Sequence, residues 1–226
     1  CLDDMIRQSR RSDYPFVNCT SCGPRFSIIK DLPYDRPATT MASFAMCPEC
    51  AREYEDETDR RFHAQPIACN HCGPHYTLRE KSGTVIDDYP TIRRQLATVL
   101  SGGGVVALKG IGGYNLICDP FSPMAVRRLR VLKERPHKPF AVMVPDMETA
   151  RRFVFLSRRE EAVLSSWRRP ILLARQRRVL ASAINEGYCT LGLMLPFQPV
   201  HYHIFSDSGL KALVFTSGNK KGFPLC

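Results

Sequence analysis

Residues 47–72 read CPECAREYEDETDRRFHAQPIACNHC, in which two Cys-x2-Cys pairs, Cys47/Cys50 and Cys69/Cys72, stand 18 residues apart. Two residues between cysteines let both thiolates turn back onto one cation, and Zn²⁺ takes four such ligands in a tetrahedron. The spacing therefore predicts a structural four-cysteine zinc site. Because all four positions are filled by thiolates, such a site leaves no open coordination for a substrate.

The same pattern occurs a second time nearer the start of the chain. Residues 19–27, CTSCGPRFS, match residues 69–77, CNHCGPHYT, almost position by position, and an arginine pair precedes each segment at the same offset. The repeat places Cys1 in the part of Cys50. We therefore predict a second zinc site with Cys1, Cys19 and Cys22 as ligands. We expect its fourth cysteine to lie upstream of this sequence, so that the first finger is truncated.

A disulfide framework is the alternative use of so many cysteines. It suits secreted chains, but the first residues lack the basic start and apolar run of a signal peptide, and we favour zinc. His63, His71 and His75 flank the sites and are expected to be neighbouring or surface groups rather than ligands. Three cysteines without partner spacing are expected to be ordinary residues: Cys118, Cys189 and Cys226.

Composition divides the chain into two modules. The 226 residues carry a formal charge of +10, with a hydrophobic fraction of 44% and a charged fraction of 24%, which is typical of a globular chain. Residues 1–90 hold 11 basic and 14 acidic residues, whereas residues 91–226 hold 21 and 8. Because the finger half is acidic, it is a poor nucleic-acid binder. No apolar run reaches about 18 residues, so we expect no membrane contact and a cytoplasmic location.

The second module alternates helical and extended patterns, which predicts an α/β (α+β) domain with a twisted, mixed sheet flanked by helices. Helices are predicted at 91–101 with Ile92, Leu96, Val99 and Leu100 inward, at 123–132 with Val126, Leu129 and Leu132 inward, and at 146–153, 158–166 and 200–205. Strands are predicted at 105–108, 140–144, 170–174 and 213–216, and residues 188–195 are predicted to include a strand or an extended loop.

Three segments of this module could bind an anion. Lys109 opens the glycine-rich run 109–114, where the backbone can approach a ligand closely, although a tight turn explains the glycines equally well. Lys133, Arg135 and Lys138 stand at a helix-to-strand junction between prolines, either as an anion cradle or as a solvated loop. Ser217 and Asn219 follow the last strand and could hydrogen-bond a ribose or phosphate.

Several long motifs now show a family resemblance. YPFVNCTSCGPRFSII at 14–29, LPYDR at 32–36 and DRRFHAQPIAC at 59–69 resemble the zinc-finger module of HypF-type carbamoyltransferases, which are hydrogenase maturation factors. ALKGIGGY at 107–114, KERPHKPFAVM at 133–143 and TSGN at 216–219 resemble the YrdC-like domain that follows it in that family. The resemblance covers essentially the whole chain.

The resemblance implies a tandem finger module over 1–80 and a YrdC-like, ATP-binding domain over 88–226 that is cut short at its C-terminal end. It implies that carbamate from carbamoyl phosphate is joined to ATP, giving carbamoyl adenylate, and that the carbamoyl group passes to the C-terminal cysteine of HypE. The product becomes a cyanide ligand of [NiFe]-hydrogenase. Structural Zn²⁺ and ATP-bound Mg²⁺ are the implied cofactors. No catalytic residue is assigned.

The site residues follow from the same resemblance. Lys133, Arg135 and Lys138 are expected to contact the triphosphate, and Lys109 is a plausible fourth contact. Ser217 and Asn219 are candidates for the nucleotide or carbamate. Two positions depart from the family pattern: Asn115 replaces the usual His, and KGFP at 221–224 replaces Ser-Gly-Glu-Pro.

Two other functions compete with this interpretation. A threonylcarbamoyl-adenylate synthase for tRNA modification shares the basic signature but lacks tandem fingers. An RNA-binding module would use the basic charge of the second half, although aromatic residues are sparsely interleaved there.

Overall fold

The computed structural model describes residues 1–6, 10–178 and 180–219. The chain forms two compact units. Unit 1 comprises Cys1–Ile92 and Gln198–His203, and unit 2 comprises Arg93–Phe197 and Ile204–Cys226. The departing segment 221–224 and Cys226 lie outside the described residues. Within the described part of the chain, no helix is long and apolar enough to cross a membrane.

Unit 1 contains little regular structure. Its elements are helices α1 (Leu2–Ile6) and α2 (Pro48–Glu55), three 3-10 turns (Phe26–Ile28, Arg36–Ala38 and Thr40–Ser43) and the antiparallel strands β1 (Leu78–Arg79) and β2 (Val85–Ile86). Helix α2 begins directly after Cys47 because Pro48, at its first position, has no N–H to leave unpaired. Small apolar clusters surround the cysteines rather than one continuous core.

In unit 1, buried arginine side chains connect separate loops through hydrogen bonds, as strand pairing does in a sheet. Arg36 is 8% exposed. Its guanidinium donates to the carbonyls of Gln65 (2.7 Å), Ile67 (2.8 Å) and Phe44 (2.7 Å). Because a guanidinium offers five donors in a fixed plane, one side chain can satisfy several loop carbonyls at once.

Unit 2 is built on a six-stranded sheet with the order β3-β4-β8-β5-β7-β6. Its strands are β3 (Val105–Gly110), β4 (Gly113–Cys118), β5 (Ala141–Met143), β6 (Leu172–Arg175), β7 (Thr190–Met194) and β8 (Leu213–Ser217). Its helices are α4 (Pro123–Leu132), α5 (Met147–Phe153) and α6 (Arg158–Ser165), whereas α3 (Tyr89–Ser101) and α7 (Pro199–Ser208) have residues in both units. Strands β5 and β7 run parallel, and the other neighbours are antiparallel. The mixed α/β fold is confirmed.

Strand β4 was not expected from the sequence. Of the two interpretations of the glycine run, a ligand loop or a tight turn, the tight turn is confirmed, because the glycines make the turn of a β3–β4 hairpin in which Gly110 pairs with Gly113. Gly113 has a φ of 134°, a conformation that L side chains rarely adopt. Residues 114–118 then continue as a strand beside β8.

The predicted helix faces are largely correct. Val126 and Leu129 of α4 are fully buried, and Ser122 caps the helix by accepting from the Ala125 N–H. The prediction for Leu132 is wrong, since this side chain is 60% exposed. The inward position four residues after Leu129 is that of Lys133, which is buried. Val99 of α3 is likewise exposed, whereas the three other apolar residues assigned to that face are buried.

Candidate functional site

Four cysteines of unit 1 form a compact thiol cluster, which we call cluster two: Cys47, Cys50, Cys69 and Cys72. The Sγ atom of Cys69 lies 3.8 Å from those of Cys47 and Cys72, and the Sγ atoms of Cys72 and Cys50 are 3.6 Å apart. A tetrahedron with Zn–S bonds of about 2.3 Å has edges of about 3.8 Å. The spacing of the sulfur atoms therefore fits one Zn²⁺ ion.

Local backbone geometry produces this spacing. Cys47 precedes α2 and Cys50 lies in its first turn, while the Cys69 carbonyl accepts from the N–H groups of Cys72 (3.2 Å) and Gly73 (2.9 Å). An added Cβ at Gly73 would overlap the Tyr14 hydroxyl. Glycine at position 73, directly after the Cys69/Cys72 pair, is thus required by close packing against Tyr14 as well as by the turn.

A second group, cluster one, contains Cys1, Cys19 and Cys22. The Sγ atom of Cys22 lies 3.6 Å from that of Cys19 and 3.2 Å from that of Cys1. Among the described residues of this half, the structure thus brings together the three cysteines that the sequence repeat assigns to one site. Cluster one is more accessible than cluster two, because Cys22 is exposed and Cys1 is partly exposed, whereas Cys50 is fully buried.

The chemistry of the buried thiols also favours a cation. Burial raises the pKa of Cys50 to about 12, although N–H donors from Arg10 oppose the shift. Without a cation such a thiol stays protonated at neutral pH. A bound Zn²⁺ deprotonates coordinating thiols, so the donor set of cluster two fits a structural zinc ion.

The remaining sulfur and imidazole groups lie elsewhere. Among the described residues, neither metal-competent cluster includes a histidine. His63 stacks on Tyr54 with ring centroids 5.0 Å apart. Cys118 belongs to the apolar core of unit 2, where burial raises its pKa to about 12, and Cys189 is exposed.

The predicted anion-binding residues of unit 2 share one end of the sheet. Lys109 pairs with Tyr114 across the β3–β4 hairpin, and Asn115 pairs with Ser217 at the end of β8. Strand β5 starts beside the same end of β8, because Ala141 pairs with Phe215. The segment 133–140 leads into β5 at this point. Sheet topology therefore gathers residues that are more than 100 positions apart in the sequence.

Lys133 joins the basic segment to the end of β8. It is 9% exposed, and its Nζ donates to the carbonyl of Asn219. The Ser217 hydroxyl donates to Oδ1 of Asn219 over 2.5 Å, and the Gly218 N–H donates to the Tyr114 carbonyl over 2.6 Å. A Cβ at Gly218 would stand 2.9 Å from that carbonyl oxygen. These bonds fix the Ser-Gly-Asn turn directly beside the buried ammonium group.

Arg135 shapes the loop to which it belongs. Its Nε donates to the Lys138 carbonyl (3.1 Å) and its Nη2 to the Pro139 carbonyl (2.5 Å), and its guanidinium lies 5.1 Å from the Phe140 ring centroid. Burial, with the nearby Arg130 charge, lowers the pKa of Arg135. The Lys138 side chain is exposed, as is Lys109, whose Nζ lies 4.9 Å from the Tyr114 ring. Of the three basic residues in the predicted cradle, Lys138 is the one most open to solvent.

Two family models match the chain. The model described as "Telomere recombination", for Sua5, YciO and YrdC proteins, matches residues 98–226. The model described as "HypF finger" matches residues 1–29 and 46–79. The two matches include all seven cysteines of the clusters and all six anion-binding candidates.

Relatives that match the whole chain are carbamoyltransferases. The chain is 46% identical to carbamoyltransferase HypF of Rhodobacter capsulatus over 99% of its own length, and it covers 30% of that protein. It superposes on T. kodakarensis HypF with a TM-score of 0.94 at 44% identity. A full-length HypF in a phosphate- and nucleotide-bound form gives a TM-score of 0.92 at 44% identity. Both structures match all of this chain, which spans 30% of each.

Threonylcarbamoyl-AMP synthases match a smaller part of the chain. The threonylcarbamoyl-AMP synthase of Vibrio vulnificus is 28% identical over 139 residues, which are 59% of the chain. The match to the Rhodobacter capsulatus HypF extends over 99% of the chain. The whole-length likeness therefore lies with the HypF proteins.

Proposed function

The chain belongs to the HypF family, joining HypF-type fingers to a Sua5/YciO/YrdC domain, and on this premise we propose that it activates carbamate with ATP. The finger module is assigned to residues 1–80 and the ATP-binding domain to residues 88–226. The arrangement that carries the proposal is the convergence of Lys109, Lys133–Lys138 and Ser217–Asn219 at one end of the sheet. The nucleotide- and phosphate-bound form of a HypF with the same fold supports it.

In the proposed reaction, a carbamate oxygen attacks the α-phosphorus of ATP. A carbamate–phosphorus bond forms, the bond between the α- and β-phosphates breaks, and pyrophosphate leaves with the electron pair. The carbamate derives from carbamoyl phosphate, and the carbamoyl group of the adenylate passes to the C-terminal cysteine of HypE. These steps belong to the whole carbamoyltransferase, of which this chain supplies the activating part.

The basic side chains act on the phosphate oxygens. Lys133 and Lys138 stabilise the charge that builds as pyrophosphate leaves, with Lys109 as a further cation, because preorganised cations favour such a transition state. Lys133 then exchanges the Asn219 carbonyl for a phosphate oxygen. Arg135 contributes one guanidinium edge to phosphate and holds the loop with the other. Ser217 and Asn219 bind the nucleotide or carbamate through hydroxyl and amide groups.

Metal ions have separate parts in this proposal. Mg²⁺, which is commonly held through substrate phosphates, would be bound together with ATP and would neutralise charge on the triphosphate. One structural Zn²⁺ is bound by cluster two (Cys47, Cys50, Cys69 and Cys72) and a second by cluster one (Cys1, Cys19 and Cys22). At cluster two, zinc with four thiolate ligands has no site for substrate, so this finger supports structure and not the adenylation itself.

ATP binding tests the basic site. Lys133→Ala removes the buried ammonium group, and we expect ATP affinity in calorimetry to fall by about 10- to 100-fold, because a hydrogen bond to a charged group contributes roughly 1.5–3 kcal/mol. Lys211→Ala is the matched control. Lys211 is exposed and precedes β8, at the opposite end of that strand from Ser217. Equal affinity in the Lys133 variant and the control would remove Lys133 from the phosphate site.

Isotope exchange between pyrophosphate and ATP tests the substrate. We expect exchange that depends on carbamoyl phosphate or carbamate. Exchange that depends on threonine and bicarbonate would assign the chain to threonylcarbamoyl-adenylate synthesis instead. Salt-sensitive RNA binding without exchange would favour the RNA-binding alternative.

A further inference from the structure

Each half of the finger module contributes its arginine pair to the cysteine cluster of the other half, an arrangement that we call the exchange. The sequence repeat makes Arg10-Arg11 the counterpart of Arg60-Arg61, since each pair precedes its Cys-x2-Cys pair at the same offset. Each arginine pair nevertheless contacts the thiol cluster of the other half. The pair nearest in sequence to a cluster is therefore not the pair that holds it.

Cluster two receives the arginines of the first half. Arg10 Nη1 lies 3.2 Å from the Cys50 sulfur and 3.8 Å from that of Cys47, and Arg11 Nη2 lies 3.4 Å from Cys50. Both guanidinium groups also pair with Glu53, at 2.7 Å for Arg10 and 2.6 Å for Arg11. The Cys50 thiol thus stands against two cations that are themselves held by one carboxylate.

At cluster one, Arg60 of the second half contacts a sulfur atom, and Arg61 is joined to Arg60 through a shared carboxylate. Arg60 Nη2 lies 3.3 Å from the Cys1 sulfur and 2.6 Å from Oδ2 of Asp4, and Arg61 pairs with the same carboxylate oxygen. Asp4 follows Cys1 by three residues, as Glu53 follows Cys50. The two carboxylates are therefore counterparts within the repeat.

The exchange extends to the backbone of the knuckles. Arg11 Nε donates to the carbonyl of Ala68 (2.9 Å), and Arg61 Nε donates to that of Asn18 (3.0 Å). Each of these carbonyls belongs to the residue directly before a Cys-x2-Cys pair. Arg11 and Arg61 are 3% and 5% exposed, so both contacts are held in the interior of unit 1.

The two halves are also connected to each other. Arg61 Nη1 lies 3.8 Å from Oε2 of Glu53 in addition to its contact with Asp4. One chain of ion pairs consequently runs from Asp4 through Arg61 to Glu53 and Arg11. Because four thiolates around Zn²⁺ carry a net charge of −2, guanidinium donors at the sulfur atoms stabilise the loaded site.

We propose that each arginine pair positions the thiolates of the opposite finger, so that a substitution in one half weakens metal binding in the other. The inference rests on the proposed zinc binding of the two clusters. Groups outside the ligand set commonly orient metal ligands, and their loss lowers metal affinity by about 10- to 100-fold. Arg10 and Arg60 are the most informative positions, because their side chains are 29% and 47% exposed and their removal leaves the buried Arg11 and Arg61 in place.

The experiment uses the whole chain loaded with zinc. A zinc chelator is titrated, free thiols are alkylated, and the labelled cysteines are identified by peptide mass spectrometry. For Arg10→Gln we expect the cysteines of cluster two to become reactive at a chelator concentration about 10- to 100-fold lower than in the unsubstituted chain. Arg60→Gln is the matched control, because Arg60 precedes Cys69 by nine residues but contacts Cys1. In this variant, the chelator concentration at which the cysteines of cluster two become reactive should stay close to that of the unsubstituted chain.

Two further measurements separate positioning from general destabilisation. Arg10→Lys keeps the charge but not the planar fork, and we expect it to restore part of the protection. Co²⁺ replaces Zn²⁺ as a spectroscopic probe, and the thiolate-to-cobalt absorption at saturation should show an unchanged number of thiolates in Arg10→Gln. Unchanged chelator sensitivity of cluster two in Arg10→Gln, or a stronger effect from Arg60→Gln, would overturn the exchange. Absence of zinc protection in the unsubstituted chain would overturn the zinc assignment itself and the exchange with it.

Discussion

Unit 1 and unit 2 bury very different kinds of side chain. The interior of unit 1 contains the buried cysteines of cluster two and three arginines, Arg11, Arg36 and Arg61, that are at most 8% exposed. The interior of unit 2 is a continuous apolar cluster between a six-stranded sheet and its helices. A small module with little sheet or helix cannot bury enough apolar surface, and metal ligation commonly compensates. The contrast predicts that the two units respond to different perturbations.

Metal removal should give the largest effect, and it should fall on unit 1. Structural Zn²⁺ contributes about 10–16 kcal/mol of apparent binding free energy in small zinc modules. Exhaustive chelation should therefore abolish amide hydrogen-exchange protection in residues 47–72. Strand β7 of unit 2 should remain protected, since Leu191 and Leu193 pack within the apolar core. Equal loss of protection in both regions would contradict the contrast.

Truncation of the apolar core should give the next largest effect, and it should fall on unit 2. Leu193 is fully buried in β7, and Leu193→Ala should lower the free energy of unfolding by about 2–5 kcal/mol. Leu173 of the adjacent strand β6, which pairs with Gly192, is 71% exposed and provides the matched control. Urea unfolding measures both variants, and zinc content should be unchanged in each. A large loss in the Leu173→Ala variant would show that this face of β6 is covered in solution.

Acid should reveal a smaller weakness in unit 1. Burial lowers the pKa of His201 to about 3, well below the usual value of about 6.5 for the unfolded chain. The unfolded state therefore binds a proton that the folded state does not, and stability falls as pH drops below the unfolded pKa. From about pH 7.5 to about pH 5 the loss is roughly 2 kcal/mol.

His201→Asn isolates this contribution. The Asn carbonyl can replace Nδ1, which accepts from the Gln198 N–H over 3.3 Å. The variant should therefore flatten the dependence of unfolding free energy on pH across this interval, while His137→Asn, at an exposed loop position, should leave it unchanged. An identical slope in the His201 variant and the parent would remove His201 as the cause.

Local signals in the sequence predicted much of this molecule. Cysteine spacing and the sequence repeat assigned the seven cysteines to their two clusters, because the short turn of a Cys-x2-Cys pair is enough to direct both thiolates at one cation. Helix α4 was predicted with its observed ends, because its apolar residues recur within one ten-residue segment. The nucleotide site stays a prediction, but its residues were found from motifs and then brought together by strand pairing.

Long-range features were missed for physical reasons. An arginine in a sequence usually indicates surface, and nothing local shows that Arg11 and Arg61 are buried and reach across the repeat. The one indication in the sequence was that an arginine pair stands at the same offset before a Cys-x2-Cys pair in both halves. Strand β4 was missed because Gly112 and Gly113 resemble a ligand loop, and only pairing with β3 and β8 shows that the following residues are extended.

The strand order has a consequence for synthesis on the ribosome. Strand β8 is the last of the described strands along the chain, yet it lies between β4 and β5 near the middle of the sheet. Until residues 213–217 emerge, the ribbons β3-β4 and β5-β7-β6 have no strand to join them, and each presents an open edge. Unit 1 also includes Gln198–His203, so it is incomplete until residues 198–203 have been made. In a nascent chain the open edges of unit 2 are therefore templates for wrong pairing until residues 213–217 join them.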